Sequence, residues 1–309
     1  QSLLHGKITC SVLISNWLQG PGTLDAEMDP HVALFRSIDR CFRTLASWHQ
    51  RAERLQRGER RVIRVSDPSA AAHAARLIAQ APSDRLTERE SKAILDLYGV
   101  PTVPEITADS VESALGAAAR LGFPLALKVE SSDIAHKTEA GVVALNVGSE
   151  TELRVAYDRI TANAREFAPR GRINGVLVQP MVSAGIELVV GVRVDPLLGP
   201  LIVVGFGGVL VELLRDSAVD LAPINVDEAK IMLRKLKGSA LFDGFRGAPA
   251  VDLQRLADII VRVSEFASDQ QEKITEIDIN PIICTHSQLI AVDALIVRAY
   301  TSVPHPTRS

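Results

Sequence analysis

Aromatic residues are scarce: two Trp, three Tyr and eight Phe make up 4% of the 309 residues. The locally basic stretch from Arg51 to Arg64 contains none of them, so cations interleaved with stacking rings are missing and no nucleic-acid surface is expected. An excess of one charge is missing as well, because 34 basic residues are well mixed with 37 acidic ones for a net charge of −3. No apolar run approaches the roughly 18 residues needed to span a bilayer, since LIVVGFGGVLVELL is broken by glycines and then by Glu212. No membrane segment is therefore expected. The three cysteines, Cys10, Cys41 and Cys284, are odd in number and far apart, without CxxC or His-x-x-x-His spacing. That argues against a disulfide framework or zinc site and for the reducing cytoplasm. The basic-then-apolar pattern of a signal peptide is absent too. QSLLHGKITCSVLISNW reads instead as a strand cut from something longer, so a fragment of a larger protein is expected.

What is present is a large apolar fraction, 47%, drawn mainly from Ala, Val, Leu and Ile and never gathered into one long run. That is the composition of a globular chain, and its length predicts two or three compact units. Residues 1–50 contain a strand (SVLIS), a Gly-Pro-Gly loop at Gly20 to Gly22 and a helical period in HVALFRSIDRCFRTLASWHQRAERL. Residues 51–85 are Arg-rich and then Ala-rich, with weak patterning, and read as a linker containing a surface helix. From Leu86 the signals sharpen. Thr87 precedes ERESKAILDLYG with Glu90 three residues on, a capping-box pattern that Gly99 closes. Asp109 or Ser110 caps VESALGAAARLG, which Gly122 ends. Strands are expected at FPLALKVE, VVALNV, GVLVQPM, IELVVGVRV, PLIVVGF, VLVELL, ITEIDI and LIAVDAL. Helices are expected at ETELRVAYDRITANAREF, VDEAKIMLRKL and VDLQRLADIIVRVSEFAS. Many strands follow one another with no helix between, which predicts an α+β fold with mixed or antiparallel sheets. The tail, 301–309, is expected to fray.

Several residues carry possible chemistry. Lys128 stands out of an apolar strand and is followed by the polar loop SSDIAHKTEAG, which sets an ammonium beside amides able to receive phosphate oxygens; by spacing alone it reads equally as a surface lysine. His136 in that loop could carry a phosphoryl group, since imidazole is a competent nucleophile near neutral pH, or could simply be solvated. Glu187, Glu212, Asp278, Asn280 and Asp293 place oxygen ligands in or beside apolar strands. Singly each fits an edge strand or ion pair; together they point to a hard cation. Lys137, Arg193 and Arg246 are further cations for phosphate. GFGG at Gly205 to Gly208 fits a phosphate loop or a tight hairpin.

In this order, LTERESKAILDLYGVP, GFPLALKVESSDIAHKTEAGVV, VQPMVSAGIELVVGV, GPLIVVGFGGVLVELLRD, LFDGFRGAP and EIDINPII followed by AVDAL resemble the ATP-grasp domain of NDP-forming acyl-CoA synthetases. That group contains ADP-forming acetate–CoA ligase and is related to the succinyl-CoA synthetase β subunit. The resemblance spans Leu86 to Arg298 and implies an ATP-grasp fold with subdomains at 86–180 and 181–300. It implies that residues 1–50 end a flavodoxin-like α/β ligase domain. By resemblance, Lys128 contacts ATP phosphates, Gln179 to Val182 (Met181 included) form the adenine hinge, and Glu187 lies near the ribose. Lys137, Gly141 and Glu212 join the ATP/ADP-binding set. Asn280 and Asp293 match a magnesium-ligand pair (Mg²⁺, with Mn²⁺ as substitute), Asp278 a carboxylate that orients a phosphohistidine, and His136 a phosphate-relay histidine. The implied reaction is acid + CoA + ATP ⇌ acyl-CoA + ADP + phosphate, with this chain confined to the nucleotide half. CoA-binding and ligase domains would lie upstream or on a separate subunit of an oligomeric enzyme. A direct ATP-grasp carboxylate ligase, or a nucleotide-sensing module without catalysis, are the rival readings. Departures from the family pattern are Val142 where a second glycine is usual, Asp220 where a base is common, and Val194 before Asp195.

Overall fold

The computed structural model describes residues 10–12, 22–29, 32–56, 62–134, 137–208, 216–244 and 249–299. The chain divides into two compact units, Gln1–Arg61 and Val62–Ser309.

In the first unit, β1 (Cys10–Val12) pairs in parallel with β2 (Ala33–Phe35), Cys10 opposite Ala33, and is joined to it by a segment containing α1 (Thr23–Met28). α2 (Ile38–Gln56) follows. The helical period expected from His31 thus starts later. Ala33, Leu34 and Phe35 are three apolar residues in a row that pair with β1, and Ser37 serves the helix start, its carbonyl accepting from Cys41 N at 3.1 Å.

The second unit begins earlier than Leu86. α3 (Ala70–Gln80), expected on a surface, buries Ala70, Ala74 and Ile78 in one core with Leu86, Ile94, Tyr98 and Phe266. The extended segment before it is pinned by Glu265, whose carboxylate accepts from Val65 N at 2.7 Å and Ser66 N at 2.8 Å. α4 (Glu88–Leu97) carries the expected capping box: Glu90 N donates to Thr87 Oγ1 at 3.2 Å and Thr87 N to Glu90 Oε2 at 2.8 Å. For α5 (Val111–Leu121) the cap is Ser110, whose hydroxyl receives Ser113 N.

Two antiparallel sheets organise this unit. The smaller has the order β3 (Ile106–Ala108), β6 (Gly175–Pro180), β4 (Leu125–Glu130), β5 (Val143–Val147). α5 and α6 (Glu150–Phe167) cover it, burying Ala114, Ala117, Leu153 and Ile160 against Leu125, Leu127, Val129 and Val178. The larger runs β11 (Leu289–Ala291), β10 (Ile274–Cys284), β7 (Ile186–Asp195), β8 (Gly199–Phe206), β9 (Ser217–Leu221), with β12 (Ala294–Arg298) also on β10. α7 (Val226–Lys235) and α8 (Leu253–Asp269) pack on it, Phe206 stacking on Phe242 at 5.4 Å. The α+β, antiparallel expectation holds. LIAVDAL divides into β11 and β12, which pair with different parts of β10 and leave Val292 and Asp293 outside both ladders. β9 is an additional strand beyond those expected, and VLVELL lies outside the described residues.

Glu265→Ala strands two amides, one of them on a buried residue, and is expected to lower the stability of this unit by about 1–3 kcal/mol, read as an earlier urea midpoint. An unchanged midpoint would show that the 62–69 segment is held by other contacts.

Candidate functional site

β4 is buried along its whole length, so Lys128 does not project into solvent; it is 5% exposed. Its ammonium reaches from the smaller sheet to the link between β11 and β12. Nζ donates to Glu88 Oε1 at 2.8 Å and to the Val292 carbonyl at 3.1 Å, and lies 3.5 Å from Asp293 Oδ2. Lys137, at the start of the turn that leads back into β5, donates to Glu88 Oε2 at 2.5 Å and lies 3.5 Å from both carboxylate oxygens of Asp293. Lys92, one turn along α4, donates to Glu88 Oε1 at 2.7 Å and to Glu105 Oε2 at 2.9 Å. Gln179 on β6 donates to the same two oxygens, at 2.7 and 2.9 Å. One fully buried carboxylate thus receives three ammonium groups and an amide.

Electrostatics follow from that geometry. Burial by itself would raise the Glu88 carboxyl, but Lys128, Lys137 and Lys92 outweigh it and hold it well below the usual carboxylate range. Lys137 is buried, which would lower it, yet Asp293 and Glu88 push it above the ordinary lysine value. Glu105 is raised, chiefly by burial, against the opposing charge of Lys92. Asp278 is also raised, first by burial and then by the charges of Glu276 and Asp293.

A cleft of about 290 Å³ opens beside this cluster, lined among others by Glu88, Lys137, Asp278, Asn280 and Asp293. β10 supplies Asp278 and Asn280 at alternate positions, and Asn280 N donates to the Asp293 carbonyl at 3.2 Å, which fixes the β11–β12 link over the strand. The loop holding Lys137 is shaped by Gly141, whose φ is +64° and whose carbonyl accepts from Asn163 Nδ2 at 2.8 Å. Val142, the departure from the two-glycine pattern, is fully buried in the core of the smaller sheet. One left-handed position is therefore enough for the turn, and the next residue serves as its apolar anchor.

Of the residues singled out in the sequence, Lys128, Lys137, Gln179 and Asp293 are brought into one cluster, and Asp278 and Asn280 share its cleft. Lys128 and Gln179 lie in the buried cluster and do not themselves line that cleft, nor do Met181, Val182 and Glu187. Met181 N donates to the Pro124 carbonyl at 2.9 Å, and Val182 is half-buried. Glu187 sits against the glycine loop: Gly207 N donates to its carbonyl at 2.7 Å, and a Cβ on Gly208, at φ +55°, would lie 2.6 Å from its Oε2. Arg193 is exposed on β7 away from the cleft. His136, Glu212 and Arg246 lie outside the described residues. Glu88, Lys92 and Glu105 were missed. Glu88 and Lys92 do have the i,i+4 spacing of a helix ion pair, but so do many solvated pairs. Among the described residues, no group of three or more His, Cys, Asp or Glu could hold a metal ion, and no helix is long and apolar enough to cross a membrane.

Two helix-backed antiparallel sheets meeting at a polar, charged cleft define an α+β protein with a buried lysine–carboxylate cluster beside that cleft. The chain belongs to the ATP-grasp domain family, whose model matches residues 77–297. It is 40% identical over 220 residues to the β subunit of acetate–CoA ligase [ADP-forming] I from Pyrococcus furiosus, covering 71% of this chain and 94% of that protein. It is 40% identical over 213 residues to acetate–CoA ligase [ADP-forming] I of Archaeoglobus fulgidus, covering 69% of this chain but 31% of that longer protein. An acetyl-coenzyme A synthetase of Ca. Korarchaeum cryptofilum, solved with coenzyme A and Mg-AMPPCP and with its phosphohistidine segment pointing towards the nucleotide-binding site, superposes with a TM-score of 0.63. That chain is 32% identical, over 74% of this chain and all of that one. The present chain is the ATP-grasp, nucleotide-binding part of such ADP-forming ligases.

The raised Asp278 carboxyl has a testable sign. A folded-state pKa above the unfolded one gives stability that is present below the unfolded value and lost as pH rises through the folded one. Asp278→Asn is therefore expected to melt higher than wild type at pH 7 to 8, with the gain shrinking on acidification through the carboxyl range. A variant no more stable at neutral pH overturns this sign. Glu88 has the opposite sign: its contribution is present above the unfolded pKa and is lost as pH falls through its depressed folded value.

Proposed function

We propose that this cleft binds ATP or ADP with Mg²⁺ and that the chain performs the phosphoryl-transfer half of acid + CoA + ATP ⇌ acyl-CoA + ADP + phosphate. The observation that carries this reading is the convergence of buried Lys128 and cleft-lining Lys137 on Asp293, in a cleft that also bears Asn280 and Asp278. Phosphoryl transfer needs positioning and charge neutralisation more than covalent chemistry from the protein. Lys128 and Lys137 supply positive charge for the phosphate oxygens. Asn280 and Asp293 offer an amide oxygen and a carboxylate, hard donors suited to a small divalent cation whose remaining positions go to phosphate and water. When bound, Mg²⁺ would offset charge on the transferring phosphoryl group. The Korarchaeum relative, solved with Mg-AMPPCP, supports this assignment. Gln179, Met181 and Val182 are assigned to the adenine side, and Glu187 with Gly207 and Gly208 to its outer edge.

In the relay, the γ-phosphoryl group of ATP is transferred to a histidine imidazole with release of ADP, then passes to the carboxylate of the acid to give an acyl phosphate, whose phosphate is displaced by the CoA thiol. His136 is proposed as a relay histidine of this chain, with Asp278 orienting the imidazole. The ligase and CoA-binding domains would be fused upstream, as the longer Archaeoglobus protein allows, or supplied as a separate subunit in a cytoplasmic oligomer. Residues 1–50 are assigned to the end of such a domain.

Calorimetry is expected to show MgADP binding by the wild-type chain and at least a tenfold loss in Lys128→Met, which keeps the side-chain length but removes the charge. Absence of binding by wild type, or equal binding by the variant, would falsify the reading. With the partner domains supplied, acid-labile ³²P from [γ-³²P]ATP is expected to fall in His136→Ala. Unchanged labelling would remove His136 from the relay and place the phosphoryl group on another histidine.

A further inference from the structure

Glu88 has more partners than a first-turn carboxylate requires. The capping box of α4 is already closed by Thr87 and Glu90, so the helix start does not need it. Its side chain is 0% exposed, and both oxygens are engaged by side chains from four places: Lys92 on its own helix, Lys128 on β4, Lys137 in the loop before β5, and Gln179 on β6. A buried ion network is weak evidence for stability, because apolar residues of similar volume often do as well. What this one accomplishes is geometric. Lys128 and Lys137 each lie between Glu88 and Asp293, making a ring of alternating charge in which Glu88 is the buried member and Asp293, with its side chain 32% exposed, the member facing the cleft.

The two oxygens of Glu88 divide the task. Oε1 takes Lys92, Lys128 and Gln179, so three elements fix it. Oε2 takes Lys137, the lysine carried by a loop rather than by a strand or helix. Glu105 reinforces the inner side through Lys92 and Gln179, leaving its own Oε1 buried and unpaired. The carboxylate is thus fixed on one side by three elements and presents its other oxygen to the Lys137 turn.

We propose that Glu88 is a positioning residue for nucleotide binding: held by Oε1, it sets the ammonium groups of cleft-lining Lys137 and of buried Lys128 against Asp293 and acts on phosphate through them. This rests on the reading that the cleft takes ATP or ADP, and it adds to it the group that aims both cations. The ring also means that an arriving polyphosphate meets lysines already desolvated and aimed, so little reorganisation accompanies their exchange from Asp293 to phosphate oxygens.

The test is calorimetric titration with MgADP at a temperature where circular dichroism shows each variant folded. Glu88→Gln removes the charge and offers the lysines a competing N–H donor; it is expected to bind about tenfold more weakly or worse. Glu88→Asp keeps the charge but withdraws it by one methylene, and a smaller but clear loss is expected. Glu88→Gln combined with Lys137→Met should lose less than the product of the two single losses, because part of the Glu88 effect is exerted through the Lys137 ammonium that the second change removes. Glu265→Ala, which loosens the same unit away from the cleft, should bind within about twofold of wild type. That separates positioning from mere stability. If Glu88→Gln does not fold, Glu88→Asp decides by itself. Binding by the folded Glu88 variants within about twofold of wild type, or strictly multiplicative losses in the double variant, overturns the positioning role while leaving the nucleotide reading intact. A wild-type chain that does not bind MgADP overturns that reading instead.

Discussion

A carboxylate with no access to water costs several kcal/mol unless cations surround it, and around Glu88 three lysines do so. Much of the second unit is arranged to meet that condition. α4 must start where Thr87 starts it, or Glu88 and Lys92 leave the same helix face. β4 must run beside β6, or Lys128 and Gln179 do not arrive together; their strands are paired with Ala126 opposite Gln179. The link between β11 and β12 must lie over the end of β4, because the Val292 carbonyl and Asp293 complete the coordination of Lys128. The electrostatic cluster therefore ties the smaller sheet, the larger sheet and α4 together at one place.

The cleft residues come from irregularities in otherwise regular elements. Asp293 falls between two short strands that pair with different stretches of β10, so its side chain is free of sheet alternation. Lys137 opens a turn completed by Gly141 at positive φ and anchored by buried Val142, with Asn163 of α6 holding the Gly141 carbonyl. Rigid surroundings for a loop residue are what a phosphate site needs: the sheet and helix fix the ends, and a glycine turn lets the backbone approach.

Legibility in the sequence tracked how local each signal was. The capping box at Thr87, the cap at Asp109 or Ser110, the terminal glycines and the strand alternation depend on neighbours within a few residues, and they placed most helices and strands of the second unit. The core role of α3 was not readable, because small alanines do not mark a core-facing stripe as large apolar side chains do and its partners lie some 20 to 195 residues on, at Tyr98 and Phe266. Lys128, Asp278, Asn280 and Asp293 could be singled out because a polar side chain in an apolar strand is anomalous. Glu88 could not, since an acidic residue in a first helical turn is the commonplace complement to the helix dipole. Only the spatial convergence of α4, β4 and β6 makes it unusual.

The relatives bear on whether the cluster depends on further domains. This chain aligns with nearly the whole of a separate β subunit and with about a third of a single-chain ligase, at the same 40% identity. Matches of both kinds raise the question whether the lysine–carboxylate cluster is self-sufficient within this chain. It is: every group in the Glu88 ring comes from between Glu88 and Asp293 within the second unit, and none is borrowed from residues 1–61. A cluster that assembles its own charge pattern needs no second domain to form it.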